Sequence, residues 1–215
     1  MNKLDERNII LKNLVSSMAK KVVNLYEMAI DSLNNHDVEK ALKVIETDDY
    51  INKQETEIND VALETVVLYS PVAIDVRIVI SSIKIANELE RIGDYAKGIA
   101  KFAIKHEKID ADILSKINTL NELFLKMFTH AMEAYENADV DWAFKIAEED
   151  LQINGVYNEI VEIIKNKLSE NNKEFLDETV NVMRLIKNLE RAGDHTKNIC
   201  EHIIYQEKGQ RFEFN

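Results

Sequence analysis

The stretch Asn87–Gly98, NELERIGDYAKG, is nearly repeated at Asn188–Asn198, NLERAGDHTKN. The shared core Leu-Glu-Arg-x-Gly-Asp supplies Glu90, Arg91, Gly93 and Asp94 in the first copy and Glu190, Arg191, Gly193 and Asp194 in the second. Working outward from the first copy, Ile78, Ile85, Ile92 and Ile99 recur every seven residues, and Ser82, Leu89, Ala96 and Ala103 fill the alternate positions. That is the seam of a helix expected from about Val72 to His106. Val76, Ile80 and Ile83 are apolar on its outer side, so its first half is expected to be covered on several sides. Glu90 and Asp94 fall outside the seam. Four positions apart on a helix, their Cβ atoms lie about 6 Å apart and their charges repel. The same repulsion built twice, 100 residues apart, points to a cation that relieves it.

The rest of the chain follows the same plan. From Lys3 to Ser32, Leu11, Val15, Met18, Val22, Leu25 and Ala29 alternate spacings of four and three, the stripe of an amphipathic helix. Asn34, Asn35 and His36 interrupt it, and Asp37 is an N-cap for a second helix running to Tyr69, with Val44, Ile51, Ile58, Ala62 and Thr65 on its seam. Ser70-Pro71 ends that helix; Pro71 suits the first turn of the next, with Ser70 as its cap. NHDVEKALKVIETDD (Asn35 to Asp49) then reappears as NADVDWAFKIAEED (Asn137 to Asp150), an offset of 102. The Glu-Arg-x-Gly-Asp core recurs at offset 100, so two residues are lost near the second hairpin turn, where polar Ser169 to Lys173 replaces Ser-Pro. The expected fold is all-α: two tandem up-down three-helix bundles, residues 1–107 and 108–215, joined near Lys108 to Asp112, forming a pseudo-symmetric six-helix protein. The tail after Gly209 is expected to fray.

Composition agrees. Five Gly and one Pro in 215 residues are too few turn residues for a strand-rich fold, and 46% hydrophobic content suffices for a core. A net charge of −12 disfavours nucleic acid and anionic lipid, and favours metal cations or basic partner surfaces. The lone Cys200 forms no internal disulfide and reads as a small core residue of a protein in a reducing cytosol. No run of eighteen apolar residues exists, so a cytoplasmic protein without membrane spans is expected. Gly-rich phosphate loops, an HExxH pair, a G-x-S-x-G elbow and the Glu-x-x-His of di-iron bundles are all absent, so the chain is read as a non-enzyme.

Helical rise places a second acidic pair beside the first. Asp48 and Asn52 lie about 20 residues before the Ser70/Pro71 turn, and Glu90 and Asp94 about 21 after it, which levels them on antiparallel neighbours. Asp150 and Asn154 match Glu190 and Asp194 in the same way if the second turn centres near Asn171. The candidate metal ligands are therefore Asp48, Asn52, Glu90, Asp94, Asp150, Asn154, Glu190 and Asp194, expected on or near an outer face. Such oxygen donors suit Mg, Ca, Mn or ferric iron; His195 would add a nitrogen that prefers Zn, Fe or Ni, which Tyr95 cannot. The plainer alternative is a solvated helix face on which Arg91 and Arg191 make local ion pairs worth a few tenths of a kcal/mol. Gly93 and Gly193 cost about 1 kcal/mol mid-helix, which points to close approach by a ligand or another helix. His36, His106, His130 and His202 read as solvated or satisfied, and Trp142 and Phe144 as packing.

Pro71-Val72-Ala73-Ile74-Asp75-Val76-Arg77, Leu89 to Asp94, and Leu189 to His195 together resemble the PhoU family, and the resemblance spans essentially the whole chain. It implies a cytoplasmic, non-enzymatic negative regulator of phosphate uptake and phosphate-starvation signalling. Such a protein couples the ATPase subunit of a phosphate ABC transporter to a sensor histidine kinase, reaches the inner face of the membrane through these partners, and forms homodimers. Its alternative is an accessory subunit of a different, low-affinity phosphate transporter. The resemblance also implies metal clusters, carried by Asp48, Glu90 and Asp94 in the first unit and by Asp150, Glu190 and Asp194 in the second. Asn52 and Asn154 stand where that family's pattern more often has Asp, and Glu201 has Lys101 as its counterpart in the first unit, so the two sites are expected to differ.

Overall fold

The structure, a computed structural model, describes residues 3–106, 108–168 and 174–214, the side chains of 174–178 excepted. The described residues form α1 (Lys3–Asn35), α2 (Val38–Tyr69), α3 (Ile74–Lys105), α4 (Ala111–Asn137), α5 (Val140–Ala147), α6 (Asp150–Leu168) and α7 (Glu174–Lys208). Helices α1, α2 and α3 pack as one three-helix bundle; α4, the α5/α6 pair and α7 pack as the second. The rows read from the sequence are buried: Leu11, Val15, Met18, Val22, Leu25 and Ala29 on α1, and Ser82, Ile85, Leu89, Ile92, Ala96, Ile99 and Ala103 on α3, while Ile78 at the head of the α3 row is only half-buried. Each large aliphatic side chain so buried contributes about 1.5–3 kcal/mol.

Asp37 and Asp139 cap α2 and α5, their side chains accepting from the backbone N–H groups of Lys40 and Trp142. The Ser-Pro connection differs from expectation. Ser70, in the left-handed region at φ 45°, closes the end of α2 through its own N–H to the Val66 carbonyl. Pro71 and Val72 lie before α3, which starts at Ile74 after a left-handed Ala73. Val76 and Ile80 are half-buried, whereas Ile83 is exposed, so the start of α3 is covered less fully than its pattern suggested. The second unit departs from the first at Glu148–Glu149, where the helix breaks between α5 and α6 immediately before Asp150. His130 holds the break through Nδ1 to Glu149 at 2.9 Å. The turn read at Ser169 to Lys173 lies outside the described residues.

The two units pack through α3 against α7 and α1 against α4. Contacts along the first seam descend in order: Arg77 Nε donates to the Gln206 carbonyl (3.0 Å), Ser81 Oγ to the His202 carbonyl (3.2 Å), and Asn198 Nδ2 to Glu88 (3.2 Å). The helices are thus antiparallel. Along the second seam Tyr26 packs on Phe124, ring centroids 4.5 Å apart, and Asn34 and Asn118 exchange amide hydrogen bonds at 3.1 Å. The tail is folded back rather than frayed. Gly209, at φ 72°, turns the chain at the end of α7, and Phe212 and Phe214 pack edge-on against Phe144 with centroids at 4.9 and 5.8 Å.

Candidate functional site

Asp48 and Asp150 hold the centres of the two duplicated sites, and both are buried, with exposures of 0% and 3%. This corrects the expected outer-face placement: they lie beneath the surface, in the seam between α2 and α3 and in that between α6 and α7. The glycines of the motif make this possible. A Cβ on Gly93 would stand 3.3 Å from Ile51 and 3.7 Å from Asp48 Oδ1; on Gly193 it would stand 3.0 Å from both Asp150 Oδ1 and Ile153. Another helix, bearing the buried aspartate, is what approaches closely.

A buried carboxylate needs a countercharge, because desolvation costs several kcal/mol unless it is paired. That charge comes from Lys97, whose Nζ donates to Asp48 Oδ2 at 2.6 Å, and from Lys197, 3.1 Å from Asp150 Oδ2. Lys97 is driven above the usual lysine range by its hydrogen bond to Asp48, against the opposing effect of burial. For Lys197 burial lowers the value, but Asp150 and then Asp194 override it and the net shift is upward. The sequence reading missed both lysines. The signal was present: they match at offset 100 and each follows the motif aspartate by three positions.

The other candidate ligands sit around these pairs. Glu90 and Glu190 are partly buried, Asp94 is exposed, and Asp194 lies 3.6 Å from Lys197. Burial raises the Glu90 carboxyl above its ordinary range and Asp94 adds to this, with Arg91 opposing and Glu55 and Asp48 contributing further. Glu55, one turn beyond Asn52, thus belongs to the first site, whereas Asn52 itself is exposed. Asn154 turns inward and donates to Asp150 Oδ2 at 2.9 Å. In the second unit Tyr157 stands where the first has Glu55, and Lys187 lies over its ring, 5.6 Å from the centroid, while pairing with Glu190 at 2.7 Å. The first site is therefore the more acidic.

His195 is not free to join a site. Its Nδ1 hydrogen-bonds Glu88 and its Nε2 lies 3.1 Å from the Tyr95 hydroxyl, which places it in the α3/α7 seam. Glu88 also faces His202 Nε2 at 3.6 Å. Burial would raise the Glu88 carboxyl, but hydrogen bonds from His195, His202 and Asn198 hold it down at about 2. His202 is satisfied there, and Cys200 is buried in the core, its thiol pushed up to about 12 by burial. Glu201 accepts the Phe214 backbone N–H at 2.8 Å, so it anchors the tail.

The fit of a metal follows from the donors. Asp48 Oδ1, Asp150 Oδ1 and Glu190 Oε2 are buried oxygens without a hydrogen-bond partner. Against this, no group of three or more His, Cys, Asp or Glu is gathered to hold an ion among the described residues, and each buried aspartate is already paired with lysine. The donor chemistry suits a hard cation, and an ion would have to compete with the ammonium groups.

Fold and sites define a tandem three-helix-bundle protein with a lysine-paired, buried aspartate at the centre of each repeat. A family model described as the PhoU domain matches residues 15–103 and again 117–203. The chain belongs to the PhoU family. It is similar to the phosphate-specific transport system accessory protein PhoU homolog 1 of Thermotoga maritima, 32% identical over 206 residues, 95% of this chain and 88% of that one. It is also similar to the phosphate-specific transport system accessory protein PhoU of Escherichia coli K12, 30% identical over 203 residues, 94% of this chain and 84% of that one. The crystal structure of the phosphate transport system regulatory protein PhoU from Streptococcus pneumoniae superposes with a TM-score of 0.91 at 25% identity, covering 99% of this chain and all of that one. PhoU from Pseudomonas aeruginosa superposes at 0.90 and 27% identity, covering 97% of this chain and 100% of that chain.

Proposed function

We propose that this chain is a non-enzymatic accessory protein of phosphate transport. In this reading it is a negative regulator that links the ATPase subunit of a phosphate ABC transporter to a sensor histidine kinase. The observation that carries the reading is the match of both repeats to one family whose named relatives are accessory or regulatory proteins of phosphate transport. No helix among the described residues is long and apolar enough to cross a membrane; in this reading the protein reaches the transporter by docking from the cytoplasm, as a homodimer. Deleting the gene should derepress phosphate-starvation reporters in phosphate-rich medium, and restoring it should silence them. Unchanged reporter output in the deletion strain rejects the role. Copurification with a low-affinity phosphate carrier and not with the ABC ATPase would instead select that transporter as the partner.

The second part of the proposal is that each repeat takes up a metal ion in competition with its lysine. Asp48, Glu90 and Asp94, with Asn52 at the margin, hold it in the first unit; Asp150, Asn154, Glu190 and Asp194 hold it in the second. The unpartnered oxygens of Asp48, Asp150 and Glu190 support this, as does the Glu90 carboxyl, raised first by burial and then by the neighbouring charge of Asp94. The ion is a hard or intermediate one: Mn, Mg or Fe, with Zn or Ni less suited to an all-oxygen set.

A further inference from the structure

The internal repeat turns the folded-back tail into a template. In the second unit the tail lies on the face made by α5 and the end of α7. Phe212 and Phe214 pack on Phe144 and, with Leu151, Asp150 and Lys197, wall a cavity of about 330 Å³. In the first unit Leu42, Asp48, Asp49 and Lys97 stand where Phe144, Asp150, Leu151 and Lys197 do, but after α3 the chain runs on towards α4 instead of turning back. Leu42, where Phe144 carries the tail in the second unit, is 49% exposed, and Val38 one turn before it is 47% exposed.

One change on that face selects the occupant. Glu201, which accepts the Phe214 N–H, is replaced in the first unit by Lys101, which is exposed. A carboxylate that receives a backbone N–H has become an ammonium that needs an oxygen. We infer that the α2/α3 face at Leu42 and Lys101 docks a partner's aromatic-x-aromatic segment that carries a carboxylate directly after its second aromatic residue. The two rings would cover Leu42 and Val38 as Phe212 and Phe214 cover Phe144, and the carboxylate would meet Lys101 by charge complementarity. The inference goes beyond the regulatory reading and does not depend on it, since the contact is measured on the isolated protein.

The test uses the full chain and a fluorescein-labelled peptide copying residues 210–214, Gln-Arg-Phe-Glu-Phe, with a free terminal carboxylate. Saturable binding is expected, weakened about ten-fold or more by Leu42→Glu, an exposed position whose variant should keep the wild-type helical spectrum, and by no more than about two-fold in Phe144→Ala. Amidating the peptide should weaken binding to the wild type and make no difference to Lys101→Glu. Absence of saturable binding up to about 1 mM, or equal binding by Leu42→Glu, overturns the inference. So does self-association that both Leu42→Glu and removal of residues 210–215 abolish, because the occupant would then be a second copy's own tail.

Discussion

Tyr95 and His195, the same position in the two repeats, touch each other: the hydroxyl lies 3.1 Å from Nε2 and the rings are 5.5 Å apart. A residue meeting its own counterpart marks the pseudo-twofold axis. The neighbours obey it, since Asn198 bonds Glu88 on one side and Asn188 lies against Gly98 on the other. The symmetry is broken chemically at the axis. One repeat contributes Glu88 and Tyr95, and the other contributes His195, Asn198 and His202, so the halves are complementary where they meet.

Glu88 should make the protein acid-sensitive. Its carboxyl is lowered from 4.5 to about 2, so its stabilising effect is complete above pH 4.5 and is lost as the pH falls from 4.5 towards 2. Glu88→Gln should cost on the order of 2–3 kcal/mol near neutral pH and progressively less below 4.5. Urea unfolding of both proteins across that range checks it. A difference that stays constant down to pH 2.5 rejects the assignment.

Removing a lysine from a buried pair should hurt more than removing the pair. Lys97→Met leaves Asp48 buried without a countercharge and should cost about 3 kcal/mol, whereas the Asp48→Asn, Lys97→Met double variant should regain most of that loss. A double variant no more stable than the single one would mean that Asp48 and Lys97 are not coupled.

The glycines should differ. An alanine at 93 gains about 1 kcal/mol of helix propensity and meets Ile51 at 3.3 Å, so Gly93→Ala should lie within about 1 kcal/mol of wild type. At 193 the new methyl meets Asp150 Oδ1 and Ile153 at 3.0 Å, so Gly193→Ala should be destabilising by about 1–2 kcal/mol. Equal melting temperatures for the two variants would contradict the tighter approach of α6.

Metal uptake should be unequal and lysine-limited. The first site has Glu55 beside Glu90, whereas the second has Tyr157 and a Lys187–Glu190 pair, so Glu90→Ala, Asp94→Ala should remove more metal than Glu190→Ala, Asp194→Ala. Lys97→Met should bind Mn or Fe more tightly than wild type, because the ion no longer displaces an ammonium group. Elemental analysis and calorimetric titration measure both effects. Equal metal content in wild type and a variant lacking all four carboxylates would dismiss these ligands.

The chain alone determined the helical stripes, the cap at Asp37 and the duplication, but not the cap at Asp139 or the break between α5 and α6. The former are local or periodic properties that a seven-residue seam or a repeated motif writes directly into the order of residues. Rise per residue brought Asp48 to the neighbourhood of the motif, but not its depth. Burial depends on how far α2 sinks towards α3, and that is set by Gly93 and Ile51 meeting across two helices. The partner of each aspartate, the capture of His195 by Glu88 and the return of the tail onto Phe144 are likewise contacts between residues distant along the chain. Only the tertiary structure decided them, because an ammonium, an imidazole or a ring goes where packing leaves a buried charge or an uncovered apolar face, and neither exists until the bundles have closed.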